Sequence, residues 1–179
     1  VENNKSVYLD EDCDIDGYLS VLSLKSMFDA IGFTNYYIPI HVYKRHGVTV
    51  DILRPYISEH KFDTYIVTDS SINNTEVFDM FTEHEDINLI VVDHHKTTID
   101  RHRYDDTNVL LINPKLDTIE LGRESLAQEM SACAVLSLLI DYTMKTYFKD
   151  CYDYMHGCHF VYGYISLYSD VCKFNPYNI

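Results

Sequence analysis

The chain has 179 residues, 46% of them hydrophobic, and a formal charge of −14. That length and apolar content suit one domain with an ample core, not a disordered chain, and the negative balance works against a basic phosphate-binding surface. No apolar run approaches the ~18 residues needed to cross a bilayer. The polar opening "VENNKSVYLDED" does not read as a signal peptide, and five scattered cysteines without a CxxC pair fit a reducing, cytoplasmic setting.

In chain order, "KSVYL" (5–9) reads as a short strand. The segment 17–32 carries Leu19, Leu22, Leu24, Met27, Phe28 and Ile31 at helical spacing, with Gly32 as a stop. "NYYIPIHV" (35–42) reads as a strand that Pro39 pushes to an edge. The segment 48–60 is open between strand and helix. "FDTYIVTD" (62–69) is a strand, and 74–86 is a helix whose Asn-rich start suits capping. "INLIVVDHH" (87–95) is a near-continuous apolar run of the kind buried on both faces. "TNVLLINP" (107–114) is a further strand, and from about residue 124 the chain reads as helices. This alternation predicts an α/β fold: a mostly parallel five-stranded sheet with helices on both faces and a helical C-terminal segment, in a single domain over 1–179.

Three of these strands end in acid. The first runs into "DEDCDIDG", where Asp10, Glu11, Asp12, Asp14 and Asp16 crowd seven positions before Gly17. The second ends at Asp69, and the third at Asp93, His94 and His95. Ligands of open parallel sheets bind at the carboxyl ends of the strands, so all three aim at one place. A solvated acidic loop, a calcium loop and a transition-metal site are the alternatives. The calcium loop has acids at its first, third and fifth positions (Asp12, Asp14, Asp16) and Gly17 at its sixth. Its twelfth position, however, is Ser23, and a strand precedes it where an EF-hand has a helix. Imidazole mixed with carboxylate suits Mn, Fe, Co or Zn, and two such ions can activate water and clamp a phosphate.

"DCDIDG", "VTDSS" and "VVDHH" resemble, in order and spacing, the first three motifs of the DHH phosphoesterase superfamily. "GYISLYSD" resembles the fourth, and "LLINPK" and "MSACA" resemble stretches that follow DHH in RecJ-type exonucleases. The likeness covers about residues 6 to 172. It implies two Mn²⁺ ions, with Mg²⁺ or Co²⁺ as substitutes. Asp14 and Asp16 would ligate one ion each, Asp69 would bridge, and His94 and Asp170 would complete the second site. His95 would act at the scissile phosphate, oriented by Asp93. Asp10 would stand where many relatives have a ligating His, and Asp12 would sit behind the ligands. Lys96, Arg101 and Arg103 form the best basic group for a phosphate.

The implied activity is hydrolysis of phosphodiester bonds in single-stranded nucleic acid or short oligonucleotides. A cyclic-dinucleotide phosphodiesterase, a manganese pyrophosphatase, and a non-catalytic domain that binds nucleotide or a replication partner are the other readings. This sequence departs from the pattern in "DSS", where relatives have an early Gly, and in "KTT" after DHH, where they often have Pro. It also has no Gly-Gly-Gly-His motif of the kind found in the relatives' C-terminal substrate-binding domain. The grip on substrate would then come from a missing second domain or a protein partner.

Cys151, His156, Cys158 and His159 match no common zinc spacing. Cys13 reads as packing. His41, His46, His60, His84 and His102 read as surface or satisfied histidines, and the sixteen tyrosines are spread over the chain without clustering.

Overall fold

The computed structural model describes residues 5–41, 44–116, 129–155 and 157–170. Its strands are β1 (Val7–Glu11), β2 (Tyr36–Tyr37), β3 (Thr64–Thr68), β4 (Asn88–Val92) and β5 (Val109–Ile112). All pair in parallel, in the order β2-β1-β3-β4-β5. The expected α/β fold with a five-stranded parallel sheet is therefore present. The strand expected over 35–42 shrinks to two residues at the sheet edge, on the N-terminal side of Pro39, which cannot donate to a ladder.

Helices α1 (Ile15–Ala30), α2 (Val50–Ser58), α3 (Thr75–Thr82), α4 (Ala132–Tyr147) and α5 (Cys158–Ser169) cover the sheet. The ambiguous segment 48–60 is helix: the Thr49 side chain caps it by accepting from the Ile52 N–H, and Pro55 is accommodated inside. Asn74 caps α3 in the same way, through the Val77 N–H. Residues 123–128 of the expected helical tail, and His156, lie outside the described residues.

Strand side chains alternate between two cores. Tyr8, Tyr65, Val67, Leu89 and Val91 pack with Leu53 and Ile57 of α2 and Val77, Phe78 and Phe81 of α3. Leu9 and Val92, with half-buried Ile66 and Ile90, pack with Val21, Leu24 and Phe28 of α1 and Leu136, Ile140 and Met144 of α4. Both faces are buried, which is why these strands read as continuous apolar runs. Helix α5 lies against α1 and α4. Gly163 permits the close approach: a Cβ there would meet Ser137 Oγ at 2.8 Å and the Ala134 Cα at 3.3 Å. No helix among the described residues is long and apolar enough to cross a membrane.

The chain leaves β1 through α1 toward β2 on one side, while β3 pairs on the other. The gap between the carboxyl ends of β1 and β3 is thus the point where strand order reverses, the usual ligand crevice of an open parallel sheet.

Candidate metal centre

The turn after β1 is built around Gly17. A Cβ at that position would sit on the backbone of Asp12, so only glycine lets the turn fold back on itself. Asp14 then caps α1, accepting from the Gly17 N–H at 3.0 Å. Asp16 points the other way and accepts from the N–H groups of Ala132 (2.8 Å) and Cys133 (2.9 Å) at the start of α4. The small residues of "MSACA" allow this: Ser131 caps α4 through the Ala134 N–H, and Ala132 and Cys133 expose their amides to a buried carboxylate.

Asp69 follows β3 with φ of +59°, and Ser71 has φ of +71°. Left-handed backbone in non-glycine residues is strained, and it falls where the sequence has "DSS". The Asp69 N–H donates to the Val92 carbonyl, which fixes the turn to β4. Asp93 accepts from the N–H groups of His94, His95 and Ile72 and lies 2.7 Å from His95 Nδ1. Asn113 Nδ2 donates to the His95 carbonyl at 3.0 Å, and Lys115 Nζ donates to the His94 carbonyl, so "NPK" clamps the histidine pair from behind.

These turns gather the acids. Asp12, Asp14 and Asp69 each offer an oxygen within 4.8 Å of the others, and so do the ligand atoms of Asp16, His94 and Asp170. His94 Nε2 joins the two groups, lying 3.3 Å from Asp69, 3.5 Å from Asp170 and 3.8 Å from Asp16. Asp93 and His95 fall within the same reach of Asp69 and His94, but Asp93 is already engaged by the amides and by His95. Both Asp69 oxygens and His94 Nε2 are buried without a hydrogen-bond partner among the described residues.

Burial, then the neighbouring Asp16 and Asp14 carboxylates, push Asp69 well above the usual carboxylate range. Burial also raises Asp16, against the two α4 amides and His94. For Asp93 burial is overcome: the hydrogen bond and charge of His95, with the surrounding amides, hold it below its ordinary value. Asp93 in turn raises His95.

Two acids stand differently from their sequence reading. Asp10, expected as a ligand, is not among the gathered groups. It lies inside β1 on the side of Tyr8, whose hydroxyl donates to it at 2.8 Å, and the Arg45 guanidinium bonds it directly. Asp12, expected behind the ligands, is gathered with Asp14 and Asp69, with His46 Nδ1 2.9 Å away. Cys13 is half-buried and not plain packing, since its Sγ lies 2.6 Å from His41 Nδ1. Of the expected phosphate contacts, Lys96 lines the cleft beside the centre. Arg103 instead bonds Asp79 on α3 at 2.7 Å, and the Arg101 side chain is outside the described residues. Cys151, Cys158 and His159 are not brought into a ligand group among the described residues.

A model of the DHH family, N-terminal domain, matches residues 5–157. Among solved structures the chain is similar to an exonuclease RecJ bound to manganese (18% identity, TM-score 0.69, 99% of this chain and 42% of that one). It is also similar to RecJ in complex with Mn²⁺ from Thermus thermophilus (19%, 0.54, 80% and 19%). A third likeness is to CDC45 from Entamoeba histolytica (17%, 0.58, 97% and 32%). The chain thus spans less than half the length of these proteins. No curated protein sequence matches it.

Proposed function

The chain belongs to the DHH family, and from that premise we propose that it hydrolyses phosphodiester bonds of single-stranded nucleic acid or short oligonucleotides, with two divalent ions, manganese foremost. The observation that carries this reading is the set of buried, unpartnered ligand atoms: both Asp69 oxygens and His94 Nε2. Buried polar atoms are almost always satisfied, and acids this close repel unless a cation separates them. Carboxylates with one imidazole suit manganese or a similar ion. Asp12, Asp14 and Asp69 would hold one ion, and Asp16, His94 and Asp170 the other, with Asp69 between them. Bound there, divalent ions supply Lewis acidity and charge neutralisation for in-line displacement at phosphorus.

The rest of the work falls to the chain. Asp93 takes the His95 Nδ1–H, fixes the tautomer and favours a proton on Nε2, the nitrogen left for the substrate. His95 is half exposed beside the cleft, so Nε2 can hand that proton to the leaving oxygen. Asn113 and Lys115 keep the histidine backbone in register with Asp69. Lys96, on the cleft rim, offers a charge for a substrate phosphate.

The test is a hydrolysis screen with Mn²⁺, on 5′-phosphorylated single-stranded DNA and RNA, di- and trinucleotides, a cyclic dinucleotide and pyrophosphate. Wild type should release nucleotide from a short single strand, and His95→Ala should be slower by about a hundredfold or more. Cleavage of pyrophosphate alone would replace this reading with a pyrophosphatase. No cleavage of any substrate by protein holding two ions would leave a metal-binding DHH domain without catalysis.

A further inference from the structure

The two helical layers differ in what they leave in solvent. Among the described residues, α2 and α3 on one face of the sheet carry no large exposed hydrophobic side chain, while such side chains are concentrated on α1, α4 and α5 of the other layer. Helix α5 shows the contrast most sharply. Its inner side is fixed by Gly163 and Leu167, which lie against Ala134 of α4, and by buried Ser166. Its outer side carries Phe160, Val161, Tyr164, Ile165 and Tyr168, which fall on one helical face and are 43% to 67% exposed.

The face extends onto both neighbours. Helix α5 runs antiparallel to α1: Asp170 at its end meets Asp16 at the start of α1, and Cys158 at its start lines one hollow with Ser26 and Ala30. Exposed Leu22 lies one turn before Ser26, on that flank. On the α4 flank, the Ser137 hydroxyl donates to the His159 carbonyl, which brings exposed Leu138 alongside Phe160. At about 200 Å² for a fully exposed side chain, these residues present roughly 600–700 Å² of apolar and aromatic surface. The largest patch on a typical monomer is about 300–600 Å². A stable dimer takes about 800 Å² from each partner, polar rim included.

Charge selects the occupant. From Cys158 to Ser169 there is no Asp, Glu, Lys or Arg, in a chain of net charge −14. A basic partner would be met by acids, and this face offers none. An equally acidic partner is repelled wherever acids face acids, so it can be met only on a face such as this. At the rim, Asp141 is already paired with Lys145 at 2.9 Å. We infer that α5, with the flanking residues of α1 and α4, docks a second copy of this chain about a two-fold axis, patch against patch. With the two α5 helices antiparallel, the acidic ends at Asp170 stand apart by about the length of the helix, roughly 18 Å, beyond the ~10 Å reach of charges in 0.1 M salt. Neither metal nor substrate is needed for this contact.

Sedimentation velocity on the whole chain in chelator, from about 1 to 100 μM, tests the contact. Wild type should dimerise with a Kd of about 10 μM or tighter. Raising salt from about 0.05 to 0.3 M should tighten the dimer by screening the like charges. Val161→Glu and Ile165→Glu each put a carboxylate on the face and should weaken association by about thirtyfold or more, with cooperative melting retained. Ile40→Glu, at an exposed site outside these helices, should leave association unchanged. Should one α5 variant fail to fold, the other decides. Wild type that stays monomeric at the highest concentration overturns the assignment and leaves the face to a different chain. A dimer that survives the α5 substitutions, or that Ile40→Glu loosens as much, is joined elsewhere and overturns it too. So does a dimer that salt loosens, since charge pairs would then hold it.

Discussion

Asp10 and Asp69 are both almost fully buried acids near the carboxyl ends of neighbouring strands, and their surroundings are opposite. Asp10 has a guanidinium from Arg45, a hydroxyl from Tyr8, and His41 Nε2 at 3.6 Å. Asp69 has Asp14, Asp16 and Asp93 as neighbours, His94 Nε2 at 3.3 Å, and no hydrogen-bond partner for either oxygen among the described residues, whereas Asp10 lacks one only at Oδ1. The chain gives Asp10 a guanidinium, although burial still raises its pKa, and among the described residues gives Asp69 none. Burying a carboxylate is tolerated only when something pairs it, and the proposed metal centre would supply at Asp69 what Arg45 supplies at Asp10.

The sharpest way to break that contrast is Asp69→Asn. Mn²⁺ uptake should fall from about two ions per chain to one or none, and hydrolysis should drop by about a thousandfold or more. The metal-free variant should nevertheless melt higher than metal-free wild type, by roughly 1 kcal/mol or a few degrees, because an uncompensated buried carboxylate has gone. Calorimetry and thermal melts in chelator check both. A lower metal-free melting temperature would mean that Asp69 is balanced from within after all.

Arg45→Met makes the opposite change. It strips Asp10 of its arginine, leaving the Tyr8 hydroxyl and His41 beside it, and should destabilise the fold by about 3–5 kcal/mol, with Asp10→Asn in the same chain restoring more than half. The number of Mn²⁺ ions bound should not change in either variant. A third ion in Arg45→Met would show that Asp10 is a ligand held in reserve by the arginine.

The sequence made Asp69, Asp93, His94 and His95 legible because each follows a run apolar enough to be a strand, and strand ends face the crevice. It also made the fold class legible, since both faces of the sheet are buried and the runs are continuous. Asp10 was expected as a ligand, and its surroundings were hidden for a reason local to β1. Counting acids ignores the alternation that places Asp10 beside Tyr8, two residues back, and cannot see Arg45 across 35 positions. Asp12 was expected behind the ligands, and its place beside Asp14 and Asp69 could not be seen because its partner His46 lies on a loop with no regular pattern. A signal was there in "KRHG": a basic cluster in an acidic chain, closed by a glycine that the structure holds at positive φ. Asn113 and Lys115 carried family likeness but no visible task until the loops they clamp were in place.

A pH scan without metal is the gentlest way to sharpen the comparison. The pKa values of Asp69 and Asp16 are raised in the fold, chiefly by burial, from an unfolded value near 3.9. Between the unfolded and folded values the native state binds more protons, so stability falls as pH rises. Glu11, pushed up to about 8 by burial and then by Asp10, adds the same slope from the compensated side of the site. Asp93, Asp63 and Asp141 are lowered and act with the opposite sign, but their window lies below about pH 4; His41 and His159, lowered by burial, also oppose the slope up to about pH 6.5, while Asp10 and His95, both raised, act with it. From about pH 6.5 to 8, therefore, metal-free protein should lose a few degrees of melting temperature. Asp69→Asn should flatten that slope, leaving the part owed to Asp10, Glu11, Asp16 and His95. Saturating Mn²⁺ should reverse it, because the ions bind deprotonated carboxylates of the folded state alone. Equal slopes with and without Mn²⁺ would mean that the raised acids and the metal ligands are different groups.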